Sequence, residues 1–441
     1  MIGGESTTVR ILMLSNLYPP DVEGGAEILA GDIADGLARQ GHDVHVLTSS
    51  PDPSVLASHP RVRRTLRLAG PVRVDPGRPL WRQIHLPYRY YLRFHQPTNA
   101  HELRRVVAEV RPDVLYIWEI TGLGVTSLLS TLPALRLPIV FQLGSYWLLY
   151  ARSPETAQSR FHAQWLKRWL IGTVPRLAWT SLIAVSGAVK EEYVRAGFDA
   201  DRIEVIHNGI SPRFLQTPPR RGATNPNGHS QPMRLLYVGR LCPEKGVAGA
   251  IRALGSLIAG DEATPGGAEF SLDIVGDGDP AYIRMLQAYV RENRLAERVT
   301  FHGRVPQDTL IEYYDRADVL LNPSLWREPF GLTTVEAMAR GLPVIASRTG
   351  GTAEIITPGI NGVLTAPGDE HALASAIRQL AENPAQRARM ADAARRMVEE
   401  HFTIDENARR IAHHLQRTLQ GNRVVRALDA REAPEGARRT V

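Results

Sequence analysis

The chain has 441 residues, 43% of them hydrophobic and 22% charged, with a formal net charge of +6. Ordinary apolar content at this length supports large cores in about two or three domains, which excludes a disordered or fibrous polypeptide. The single cysteine, Cys242, has no partner for an internal disulfide, and no apolar run reaches the roughly 20 residues of a membrane-spanning helix.

In chain order, the opening MIGGESTTVR lacks the charged start and long apolar region of a signal peptide, so a cytoplasmic protein is expected. Val9–Ser15 is an apolar run of strand length. Gly24–Gln40 carries Ile28, Leu29, Ile33 and Leu37 at helical spacing, and His42–Thr48 alternates as a second strand. Strand, helix, strand predicts a parallel sheet with a right-handed crossover. Gly24 and Gly25 fall at the helix start, where glycine lets backbone approach a ligand and the helix end favours negative charge. The G-x-G-x-x-G spacing of a dinucleotide fingerprint is absent, so a plain tight turn and a ligand-approach loop are equal readings.

Residues 51–111 read as a basic insertion. Between Arg61 and Arg111 twelve arginines stand against Asp75, Glu102 and Glu109, and as far as Gln96 proline, arginine and aromatic residues interleave without a period. A solvated arginine-rich face ranks first. A surface for anionic membrane lipid or an anionic acceptor, anchored by Trp81, Tyr88, Tyr90, Tyr91 and Phe94, ranks second, and nucleic acid third. Asp113–Trp118 and Ile139–Leu143 then read as buried strands, and Phe161–Trp179 as a helix with an aromatic stripe. Ser181–Val185 and Ile203–Ile206 are strands around a helix from Gly187 to Ala196. A first domain is expected over residues 1–210.

Residues 211–232 are dense in Pro, Gly, Ser and Asn and read as a linker. A second domain over 233–400 follows. Its strands are Arg234–Val238, Ser271–Val275, Val299–His302, Val319–Asn322 and Pro343–Ser347, with helices at Gly246–Ile258 and Ala281–Glu292. This is a second doubly wound α/β sheet, with ligands expected at the carboxyl ends of its strands. After Asp369 the pattern is helical to about Gln420, and residues 421–441 are expected as a charged, disordered tail.

Three groups converge on that carboxyl edge. VGRLCPEKG puts Arg240 and Lys245 in the first strand-to-helix turn, a fork and a point charge together, which suits a diphosphate. FHGRV adds Gly303 and Arg304. LWREPFGLTTVEAMARGLP places Glu328 in a loop and Glu336 just over one turn into a helix. That helix begins with the N–H groups of Leu332 and Thr333, which lack internal partners and favour an anion. Each group has a plain alternative: turn-surface charges, a tight turn at Gly276–Gly278, two solvated glutamates. Their joint placement at successive strand ends favours one site that grips a phosphate and hydroxyls together.

The stretches EPFGLTTVEAMARGLPVIAS, GGTAEII, NGVL, VGRLCPEKG, VGDGD, IAVSGAVKEEY and VIHNGI resemble the retaining glycosyltransferases of family 4, and the resemblance runs from Val9 to about Leu419. It implies the GT-B fold, two facing Rossmann-like domains with a cleft between them, the first on the acceptor side and the second binding the nucleotide sugar. It implies that Arg240 and Lys245 hold the donor diphosphate, Glu328 the sugar hydroxyls and Glu336 the ribose. The N–H groups of Leu332 and Thr333 would meet phosphate and sugar, Arg304 the base, and Gly24–Gly25 would close over the phosphate. A last helix near residues 401–420 would cross back to the first domain.

The implied reaction is hexosyl transfer to a glycan, a lipid-linked saccharide or a small molecule, by same-face attack with the leaving phosphate oxygen taking the acceptor proton. No metal or other cofactor is implied, and no Asp-x-Asp motif is present. Retaining hydrolases place two carboxylates about 5 Å apart with one as nucleophile. The resemblance instead puts both Glu328 and Glu336 on the donor. Relatives carry a histidine where this chain has Gly144 and another near Trp118; Glu119, Ser145 and Tyr146 are the nearby acceptor-side candidates. An epimerase or phosphorylase on the same fold, or a nucleotide-sugar or polyanion binding protein with little turnover, are the alternatives.

Overall fold

The computed structural model describes residues 8–50, 60–69, 95–146, 149, 181–216, 233–261 and 269–432. The chain divides into two compact units. The first comprises Met1–Val185, Val189–Ile206 and Asp405–Val441, and the second Ser186–Ala188 and His207–Ile404.

The first unit is a parallel sheet of β1 (Arg10–Leu14), β2 (Asp43–Ser49), β3 (Val62–Leu66), β4 (Val114–Ile117), β5 (Ile139–Leu143), β6 (Ser181–Ala184) and β7 (Ile203–Val205), in the order β3-β2-β1-β4-β5-β6-β7. Its central strands are apolar on both faces, as a sheet covered by helices on both sides requires; every residue of β4 and β5 is buried. Helix α1 (Gly25–Arg39) lays Leu29, Ile33 and Leu37 into the core. Helices α2 (Pro97–Val110), α3 (Val125–Thr131) and α4 (Gly187–Arg195) follow.

Part of the expected basic insertion is therefore sheet framework. Val62–Leu66 pairs in parallel with β2, and Leu103 and Val106 of α2 are fully buried. The strand was illegible because VRRTL shows no apolar alternation, and its arginines are consumed internally. Arg63 pairs with Glu109 at 2.8 Å, and Arg64 reaches Asp21 and the carbonyls of Tyr18 and Pro19. The aromatic anchors Trp81, Tyr88, Tyr90, Tyr91 and Phe94, and the helix expected at Phe161–Trp179, lie outside the described residues.

The second unit opens with a helical turn, α5 (Arg213–Gln216), inside the stretch expected as linker, because Phe214 is buried; residues 217–232 lie outside the described residues. Its parallel sheet contains β8 (Met233–Val238), β9 (Phe270–Val275), β10 (Val299–Gly303), β11 (Val319–Asn322), β12 (Val344–Ser347) and β13 (Gly362–Thr365), in the order β10-β9-β8-β11-β12-β13. The helices are α6 (Val247–Asp261), α7 (Pro280–Glu292), α8 (Gln307–Arg316), α9 (Leu332–Ala339), α10 (Thr352–Ile355), α11 (Glu370–Glu382) and α12 (Pro384–His401). Leu235, Ile251, Leu272, Val319, Ile345 and Ile377 meet in its core. The edge strand β13 was not expected, since four residues after a glycine carry little periodicity.

Helix α13 (Ile404–Glu432) belongs to the first unit from Asp405 onward. Ala408, Ile411 and Leu415 are buried, Arg410 donates to the Val205 carbonyl on β7, and His414 bonds Glu204. It runs to Glu432, past the start of the tail expected from 421; residues 433–441 lie outside the described residues. No described helix is long and apolar enough to cross a membrane.

Candidate functional site

In the second unit the strand order reverses between β8 and β11, and the loops leaving those two strands carry the charged residues that the sequence singled out. The ends of β8, β9 and β10 are laced together. Gly239 N donates to Val275 O at 3.0 Å, Leu241 N to Asp277 O at 2.8 Å, and Gly276 N to Gly303 O at 2.8 Å. A Cβ on Gly276 would lie 1.8 Å from the Gly239 carbonyl oxygen, and one on Gly278 2.0 Å from that of Leu241. The Gly276–Gly278 turn is thus more than a chain reversal: it seats the turn carrying Arg240. The Arg240 side chain is exposed and makes no ion pair with a described residue, while Arg304 is exposed just beyond the edge strand β10.

Lys245 closes a short 3-10 turn, Pro243–Lys245. The carbonyl of Glu244 accepts from the N–H groups of Leu325 and Trp326, which ties this turn to the loop after β11. Lys245 Nζ then donates to Glu328 Oε1 at 2.5 Å. Glu328 is only 7% exposed, and a carboxylate that deep needs a cation beside it. An ammonium that gives one N–H to Glu328 has two left for an anionic ligand.

The loop itself is fixed at three consecutive carbonyls. Glu328 O accepts from Gly351 N at 2.7 Å, Pro329 O from Ser186 Oγ at 2.6 Å, and Phe330 O from Thr352 Oγ1 at 3.4 Å. Phe330 stacks with His207 and Phe402 at 5.9 Å each. Gly331 follows as the N-cap of α9 and brings no side chain to it, so the first N–H groups, of Leu332 and Thr333, stay available to a ligand.

Glu336 lies on α9 and accepts at Oε2 from the Tyr314 hydroxyl at 2.8 Å. Burial pushes its carboxyl up to about 7, against a smaller opposing pull from Tyr314 and from Arg213. A carboxyl raised on folding from 4.5 to about 7 favours the protonated fold; the penalty is absent below the lower value and complete above the upper one. Glu336→Gln is therefore expected to match the wild type near pH 4.5 and exceed its stability at pH 8. At about 1.4 kcal/mol per unit the ceiling is about 3 kcal/mol, and residual solvent contact brings the expectation to about 1–2 kcal/mol. Denaturant titrations at the two pH values check this; a pH-independent difference would reject it.

The other sequence-derived candidates belong to the first unit. Gly24 N, at the start of α1, donates to Glu27 Oε2 at 2.8 Å, so that helix end is already served by its own carboxylate. Glu119 follows β4, accepts from Thr121 Oγ1 at 2.9 Å, and is held above the usual carboxylate range by burial, with Glu27 and Glu23 adding to the shift. The Ser145 carbonyl accepts from the Tyr193 hydroxyl, and Tyr146 is 3% exposed. At Gly144 an added Cβ would meet nothing within 4 Å.

Residues 23–214 match the profile of glycosyltransferase family 4, and residues 224–397 that of glycosyl transferases group 1. A glycogen synthase of Mycobacterium tuberculosis is 30% identical over 406 residues, covering 89% of this chain and 91% of that one. The chain belongs to the family 4 glycosyltransferases. An uncharacterized glycosyltransferase of Methanocaldococcus jannaschii is 26% identical over 91% of the chain and 96% of its own length. Anabaena HepE, solved in complex with UDP, has a TM-score of 0.68 at 24% identity, covering 92% of this glycosyltransferase and 99% of HepE. The fold is GT-B, with two Rossmann-like domains.

Several residues that shape the glycosyltransferase's second unit were not singled out from sequence. Gly350 and Gly351 pack on the backbone of Glu328 to Phe330. Glu354 accepts from Gly187 N, Ala188 N and His207 Nε2 at 2.9, 2.7 and 3.1 Å, and these contacts hold its carboxyl below the usual range despite burial. GGTAEII and VIHNGI contributed to the resemblance, but nothing in their spacing reveals that they brace the loop of Glu328.

Proposed function

We propose that this glycosyltransferase moves a hexose from a nucleoside diphosphate sugar to an acceptor hydroxyl, with retention of configuration and without a metal ion. The observation that carries the reading is the 2.5 Å contact of Lys245 with the buried Glu328 at the head of α9, where a cation, an acid and free helix N–H groups adjoin. Glu328 would take sugar hydroxyls, Leu332 and Thr333 N–H the distal phosphate, Glu336 the ribose and Arg304 the base. HepE has also been solved with UDP-glucose, which supports a donor of this class.

In the proposed step the bond from the anomeric carbon to the phosphate oxygen breaks as the acceptor oxygen bonds the same face, and the acceptor proton passes to the departing phosphate oxygen. Arg240 and Lys245 oppose the charge developing on that leaving group, usually the largest contribution in such reactions. On the first unit, Glu119 is the candidate for the acceptor hydroxyl.

A thermal-shift panel of UDP-, GDP- and ADP-linked hexoses tests the donor class. A ligand at about 100 times its Kd adds about 2.7 kcal/mol to the folded state, a rise of several degrees. No shift with any member would reject the reading. With the responding donor, the product should keep the donor's anomeric configuration by NMR and form at an unchanged rate in EDTA; inversion would reject retention, and loss of activity in EDTA would reject metal independence.

A further inference from the structure

Glu336 is held by a residue whose place in the fold has no other evident need for a hydroxyl. Tyr314 on α8 is 1% exposed, its ring packs edge-on against Phe214 at 6.1 Å, and its hydroxyl reaches Glu336 Oε2. Packing alone would be served by phenylalanine. The next residue, Asp315, takes two bonds from Arg340 at 2.8 and 2.9 Å, one helical turn beyond Glu336, and Arg340 also donates to Phe214 O at 3.0 Å. The rotation of α9 is therefore set by Arg340 and Asp315, and what Tyr314 alone sets is the Glu336 side chain.

We infer that Tyr314 is a positioning residue that commits one carboxylate oxygen of Glu336 and presents the other to the nucleotide ribose, which makes the enzyme selective for ribonucleotide over 2′-deoxyribonucleotide donors. This rests on the proposed reading that Glu336 meets the ribose. A carboxylate locked in one rotamer accepts from a hydroxyl at one place, and a ligand lacking that hydroxyl leaves the oxygen unpaired. Without Tyr314 the carboxylate can turn or withdraw, and the distinction fades. The other group bearing on Glu336 is Arg213, which is shared with Asp308 at 3.3 Å.

Calorimetric binding of UDP, GDP and ADP, and of their 2′-deoxy forms, to wild type and Tyr314→Phe tests this from pH 6 to 9. Wild type should prefer the ribo form by about tenfold or more. Tyr314→Phe should fold normally, bind the ribo form about 5–10-fold more weakly, keep less than about threefold preference, and raise donor KM with kcat little changed. Because the phenol favours the Glu336 carboxylate, the pH midpoint of binding should also move up in the variant. An unchanged ribo preference and midpoint in Tyr314→Phe would overturn the inference while the donor reading stands. A wild type that binds none of UDP, GDP and ADP would overturn the donor reading itself, and this inference with it.

Discussion

Lys245→Ala should lower transfer from the preferred nucleotide sugar by about 10²–10³-fold, the loss typical of removing one preorganised charge at a developing anion. It should also destabilise the fold, because the Glu328 carboxyl at 7% exposure loses its partner. Breaking a fully buried pair costs about 3–5 kcal/mol; with the Lys245 side chain 21% exposed, about 2–3 kcal/mol is expected here. The two effects separate in the double variant Lys245→Ala/Glu328→Gln, which has no stranded carboxylate. Its stability should return most of the way and its activity should not. Recovery of transfer alongside stability would mean that the ammonium only neutralises Glu328 and has no part in the chemistry.

Gly350→Ala is expected to do comparable damage through the backbone. Gly350 has φ +58°, and a Cβ there would lie 2.0 Å from the carbonyl oxygen and 2.6 Å from the nitrogen of Glu328. The left-handed conformation costs a non-glycine residue about 1–2 kcal/mol. The overlap with main-chain atoms has no flexible side chain to absorb it, so the loop of Glu328 must shift. A displacement of about 1 Å in a positioned group can cost about 10²-fold in rate, so kcat should fall by at least that together with the melting temperature. Gly359→Ala is the control. Its φ is +79° but an added Cβ meets nothing within 4 Å, so only the conformational cost should register. Equal effects of the two substitutions would show that contact with Glu328 is immaterial.

Much of the architecture was readable because buried parallel strands announce themselves. VLL, LLYV and VLYI are unbroken apolar runs, and alternation with amphipathic helices dictates doubly wound sheets. Elements at the edges of the sheets were not readable. VRRTL of β3 pairs its two arginines with Glu109 and Asp21 instead of showing an apolar pattern, and GVLT of β13 is too short to show a period. For the site, residue type and position at strand ends marked Arg240, Lys245, Glu328 and Glu336 as candidates, and the structure brings Lys245 onto Glu328. The supports were hidden for a physical reason. Gly351, Ser186 and Thr352 act through single bonds to main-chain carbonyls, and Tyr314 through one hydroxyl, across separations in sequence that no local pattern encodes.

The return of α13 to the first unit has a bearing on how the protein is made. The first unit's sheet is complete at β7, yet the helix that buries Ile411 and Leu415 and takes the Val205 carbonyl is translated only after the whole second unit. At about 5–20 residues per second the intervening roughly 200 residues take about 10–40 s. During that time the second unit, whose sheet β8–β13 lies wholly within the intervening residues, can close on its own, whereas the nascent first unit carries an uncovered strand edge and apolar surface. Biogenesis therefore runs from the inside of the sequence outward, and the half that begins first on the ribosome is the last to be finished.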